Sequence, residues 1–76
     1  MHVVVKGAES IDKYIRLQQE IEHKATQYSN QHMSVGQWTE GDPVKAWKDD
    51  KDDICIEYTS GKIYHYRSTP DGIRYW

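Results

Sequence analysis

Only one stretch of this chain repeats its apolar side chains at helical spacing. Ile11, Tyr14, Ile15, Ile21, Ala25 and Tyr28 recur every three or four residues, with Leu17 at the border and Gln18 interrupting. Lys13, Arg16, Gln19, Glu20, Lys24 and Gln27 take the opposite side. Ser10 is placed to cap the first turn, and Asp12 complements the positive helix end. One helix of about five turns covers one face of one sheet and no more. A chain of 76 residues forms one domain near the lower limit for a core unaided by disulfides or metals. The rest of the sequence must therefore supply a sheet, one face of which the helix cannot reach.

The strands are marked by β-branched and aromatic runs. HVVVK (2–6) is short and β-branched, as suits a strand at a sheet edge. VKAWK (44–48), ICIEY (54–58), KIYHYR (62–67) and IRYW (73–76) follow one another as an antiparallel meander. DDKDD (49–53) forms its charged tip. The expected fold class is α+β: one long amphipathic helix packed on an antiparallel meander of about four strands, to which HVVVK can add another. Residues 29–43 lack a period and contain Gly36, Gly41 and Pro43. Asn30 can end the helix, and loops of this length tend to be functional or mobile.

Turn chemistry suggests a register. Ser60-Gly61 as a two-residue hairpin loop pairs Tyr58 with Ile63, Ile56 with His65 and Ile54 with Arg67. Glu57 then opposes Tyr64, and Cys55 opposes Tyr66. A three-residue Pro70-Asp71-Gly72 loop opposes Tyr66 to Trp76. On this reading Ile54, Ile56, Tyr58, Ile63, Ile73 and Tyr75 face the helix. Tyr64, Tyr66 and Trp76 form an uncovered aromatic platform, with Lys62, Arg74 and Glu57 around it. The side taken by Trp47 turns on a single residue in the DDKDD loop.

Several kinds of chemistry are disfavoured. The register puts Cys55 and His65, the one thiol–imidazole pair near the hairpin, on opposite faces, so no activated nucleophile is expected. His2, His23, His32 and His65 are scattered without metal-ligand spacing. The acidic run lacks the glycine and closing glutamate of a calcium loop and reads as a solvated tip. Neither an enzyme nor a cofactor is implied. The single cysteine fits a reducing cytoplasm, and Val3–Val5 is too short to span a membrane.

Binding is the better expectation. Three Trp, six Tyr and no Phe make a core rich in amphipathic aromatics. Protein interfaces favour Tyr, Trp and Arg. The candidate partner-binding residues are Tyr64, Tyr66, Trp76, Arg74, Lys62 and Glu57, joined by Trp38 and Met33 of the loop. A protein partner is expected, and a second copy of the chain can serve as one. Single-stranded nucleic acid is the alternative occupant of the same face, since stacking platforms combine aromatics with Lys and Arg. The net charge of −2 and the acidic tip oppose it.

VKAWKDDKDDICIEYTSGKIYHY (44–66) resembles the C-terminal part of short uncharacterised proteins from phages and mobile elements of Gram-positive bacteria. Those pair a Trp–acidic segment with a strand, a Ser-Gly turn and an aromatic-His-Tyr strand. The resemblance covers about a third of the chain. It implies a small accessory protein in the host cytoplasm that binds and modulates, as an inhibitor, a host protein such as a defence or transcription component. It brings no catalytic or ligand residues with it.

Overall fold

The computed structural model describes all 76 residues. Its elements are β1 (His2–Val4), α1 (Ile11–Met33), β2 (Pro43–Lys48), β3 (Ile54–Tyr58), β4 (Ile63–Thr69) and β5 (Gly72–Tyr75). The strands form one sheet in the order β1-β2-β3-β4-β5. β2 to β5 are the expected antiparallel meander. β1 adds a fifth strand parallel to β2, which the helix makes possible as the crossover between them. The class is α+β, with the helix on one face of a mixed sheet.

Ser10 starts the helix as expected, its side chain accepting from the Lys13 N–H at 3.2 Å. The helix runs to Met33, one turn past the expected end. Ser29 and His32 continue the buried side below Ala25 and Tyr28. Ser29 is accommodated because its hydroxyl donates to the Thr26 carbonyl. At the other end the stripe outruns the sheet. Twenty-three helical residues span about 34 Å, whereas the six-residue β2 spans about 20 Å. Ile11, Tyr14 and Ile15 consequently remain exposed.

The register of β3 and β4 differs from expectation by one residue. Tyr58 accepts from the Gly61 N–H and donates to the Lys62 carbonyl, both at 2.9 Å. The loop is thus Thr59-Ser60-Gly61, three residues rather than two, with Gly61 at φ 92°. Ile54 pairs with Tyr66, Cys55 with His65, Ile56 with Tyr64 and Glu57 with Ile63. The next turn errs in the opposite sense: Thr69 opposes Gly72, leaving a two-residue Pro70-Asp71 loop. The two differences cancel for β5. Ile73 and Tyr75 share the helix side as expected, and Arg74 and Trp76 share the other, but Tyr66 opposes Tyr75 rather than Trp76.

The corrected register moves Tyr64 and Tyr66 into the helix–sheet interface. Val3, Ile21, Ala25, Tyr28, Ala46, Ile54, Ile56, Tyr58 and Tyr66 form one core. Tyr28 and Tyr66 stack with centroids 5.8 Å apart. Their hydroxyl-rich neighbourhood is satisfied internally. Tyr58 Oη lies 2.6 Å from Tyr66 Oη, which lies 2.7 Å from His32 Nδ1. Burial depresses the pKa of His32 and keeps its ring neutral. A neutral imidazole can accept from Tyr66 and Tyr66 from Tyr58, and no buried side-chain nitrogen or oxygen lacks a partner.

Tyr66→Phe removes the middle hydroxyl and strands His32 Nδ1 in the interior. A loss of about 1–3 kcal/mol is expected from urea unfolding. Tyr64→Phe, whose hydroxyl makes no hydrogen bond within the chain, should leave the midpoint nearly unchanged. His32 also predicts a pH dependence. Its folded pKa lies below the unfolded value of about 6.5, so the folded protein binds fewer protons. Stability should be complete above that pH and fall as the pH drops below it. His32→Gln should flatten the decline in melting temperature between about pH 6.5 and 5.

Candidate functional site

The face of the sheet turned away from the helix carries the candidate site. Strand pairing places His2 and Val4 of β1 beside Lys45 and Trp47 of β2. Cys55 and Glu57 of β3 come next. Ile63, His65 and Arg67 of β4, then Arg74 and Trp76, complete the face. Trp76 continues β5 by exchanging both backbone hydrogen bonds with His65, at 3.0 and 3.1 Å. Trp76 is 51% exposed and Ile63 41%. Lys45 Nζ sits 5.5 Å from the Trp47 ring centroid, a cation–π arrangement.

Of the residues expected to bind a partner, Trp76, Arg74 and Glu57 lie on this face. Tyr66 is fully buried on the helix side, and Tyr64 is half-buried there. Lys62 accompanies them, its ammonium 5.2 Å from the Tyr64 ring. The expected platform of Tyr64, Tyr66 and Trp76 is therefore divided between the two faces. Met33 and Trp38 pack against the edge of the core. Trp38 meets His32 and Tyr58 edge-on and donates Nε1–H to the Gly41 carbonyl at 2.6 Å. The connection is nine residues, 34–42, and is fastened to the β3–β4 turn. The Ser60 N–H donates to the Glu40 carbonyl and the Thr59 N–H to that of Asp42. Gly41 is required there, because a Cβ would collide with the Thr59 hydroxyl.

A polar cluster at one end of the open face was not expected. His65 Nδ1 lies 3.2 Å from Cys55 Sγ and 3.5 Å from Asp49 Oδ2, and Cys55 Sγ lies 3.7 Å from Asp49 Oδ2. The expected separation of Cys55 and His65 fails with the register, which pairs them directly. The expected scatter of metal-ligating types fails with it. The acidic tip is also more than a solvated loop. Asp49 Oδ1 accepts from the Lys51 and Asp53 N–H groups, both at 2.9 Å. Asp53 is buried under Arg67, which donates to both of its carboxylate oxygens at 2.7 and 2.8 Å. This fork holds the Asp53 carboxyl below the usual carboxylate range. Arg67 also lies 5.4 Å from the Trp76 centroid, and Trp76 stacks on His65 at 5.7 Å and 11°.

The cluster is not arranged as a nucleophilic relay. One ring nitrogen of His65 faces both the thiol and the carboxylate, whereas a triad uses the two nitrogens separately. Burial, reinforced by the Asp49 charge, pushes the Cys55 thiol up to about 12. The protein itself thus stabilises neutral thiol, not thiolate. No protein-family model matches the chain, and no curated protein or solved structure gives a significant match. No helix is long and apolar enough to cross a membrane.

Cys55 should accordingly be inert in the folded protein. A disulfide reagent at pH 8 is expected to modify it about tenfold or more slowly than in the urea-unfolded chain. Equal rates would place the thiol in solvent.

Proposed function

We propose that the chain is a small, non-enzymatic binding protein that docks a protein partner on the open face of its sheet. The carrying observation is that this face has no covering element of its own while presenting Trp76, Trp47 and Ile63 among Lys45, Arg67 and Arg74. Trp and Arg are enriched where interfaces concentrate their binding energy. Lys45 and Arg74 form no ion pair within the molecule, and Glu57 is the one acid on the strands of this face. A partner surface bearing carboxylates complements it. The resemblance of residues 44–66 to phage and mobile-element accessory proteins supports a host protein as that partner, and modulation or inhibition as the outcome. The cytoplasm is the compartment this reading requires.

Single-stranded nucleic acid remains the second reading, since this face interleaves Trp47, His65 and Trp76 with three cations. The Asp-rich loop at its end would repel a phosphate backbone.

The test is capture from a bacterial lysate, with and without nuclease, by wild type and by Trp76→Ser/Arg74→Ser. Both side chains are exposed, so the melting temperature should hold. Loss of an aromatic anchor typically weakens binding by ~2 kcal/mol, about thirtyfold in Kd. Nuclease-resistant capture of a protein, lost in the double variant, is the expected result. Capture abolished by nuclease would favour nucleic acid. Capture that survives the double variant but fails in Ile11→Ser/Ile15→Ser would move the interface to the exposed start of the helix. Recovery of the chain alone, with the variant monomeric, would make the partner a second copy.

A further inference from the structure

We infer that Asp49, Cys55 and His65 form a binding site for a zinc-class divalent transition-metal ion, with one coordination position left open. The site is independent of the partner-binding reading. Its donors are a thiolate sulfur, an imidazole nitrogen and a carboxylate oxygen, all of which zinc accepts. Sulfur and imidazole together select zinc and cobalt over magnesium and calcium. Metal bonds of ~2.0–2.3 Å at tetrahedral angles place neighbouring donors ~3.3–3.6 Å apart. The three separations here are 3.2, 3.5 and 3.7 Å. Two of the three fall just outside that range, so a shift of a few tenths of an ångström brings the donors to three corners of a zinc-sized tetrahedron.

Without a metal the Cys55 thiol donates to Asp49 Oδ2, and His65 Nδ1 lies within reach of both. Each ligand is also aimed by a contact outside the cluster, as metal sites require. Two backbone N–H groups hold Asp49 Oδ1 and turn Oδ2 inward. The stacked Trp76 ring fixes the plane of His65. Cys55 and His65 stand on paired strands, so their spacing is set by the sheet. A depression lined by Asp49, Asp50, Lys51, His65 and Trp76 exposes the Asp49 and His65 side of the cluster, while Cys55 is buried behind it. Binding exchanges the thiol proton, released to solvent, for a sulfur–metal bond, and the cation offsets the burial of that charge.

The experiment titrates untagged, chelator-treated protein with Co(II) and then Zn(II). One equivalent of cobalt should produce thiolate-to-metal charge transfer in the near ultraviolet and the visible bands of tetrahedral cobalt. Zinc should abolish both and raise the melting temperature. Asp49→Asn retains the loop hydrogen bonds at Oδ1, and His65→Gln changes a half-exposed side chain. Both should fold, as circular dichroism will show, and weaken cobalt binding about tenfold or more. Cys55→Ala should remove the charge-transfer band. Absence of that band in the wild type at millimolar cobalt would overturn the proposal. So would unchanged affinity in both Asp49→Asn and His65→Gln, which would place the metal elsewhere.

Discussion

Tyr58 closes the β3–β4 turn with both of its backbone groups, and those two hydrogen bonds determine what each face of the sheet presents. They enclose three residues, the last of which must take a positive φ, and Gly61 does so without penalty. With that spacing, Ile56 pairs with Tyr64 and Cys55 with His65. A two-residue loop would turn every β4 side chain over. Tyr66 would leave the core, and His65 would leave Cys55. The aromatic core and the Asp49–Cys55–His65 cluster are thus two consequences of one turn.

The core that results is small and unusual in being closed by hydroxyls. Tyr58 and Tyr66 are almost wholly buried, and their oxygens have no water to bond. The extra helical turn resolves this by bringing His32 down over Tyr66. Trp38 and Tyr75 then pack against the same imidazole. The helix end, the 34–42 connection and the last strand are consequently held to one side chain. Tyrosine replaces phenylalanine throughout at the cost of this polar chain, which also restricts the core to a single arrangement.

Much of this was legible in the residues. The helical stripe, the Ser10 cap, the four meander strands and the added β1 all follow from spacing and composition. What was not legible depended on counting turn residues, because Thr59-Ser60-Gly61 satisfies a two-residue or a three-residue loop equally well. Asp49–Asp53 is a second turn of the same kind. It closes with the same hydrogen-bond pattern, and Asp52 at φ 64° stands where Gly61 stands. Asp in that position is chemically less obvious than glycine. The helix end escapes the apolar pattern for another reason. Ser29 and His32 are polar, so they break an apolar stripe while still keeping its period, four residues beyond Ala25 and Tyr28.

The acidic segment shows how composition can conceal structure. Four Asp residues in five suggest a loop whose only property is charge. Asp49 instead folds the loop with one oxygen and faces Cys55 and His65 with the other. Asp52 supplies the left-handed residue, and Asp53 is buried as the partner of Arg67. Asp50 stays exposed at the rim of the depression. Two of the four carboxylates, those of Asp49 and Asp53, are thus committed to ordering the loop. Arg67 extends that order across the face. Its guanidinium neutralises Asp53 and lies against Trp76, which in turn holds His65. The exposed tryptophan and the part-buried cluster are therefore parts of one stacked assembly, ordered by an ion pair at its edge.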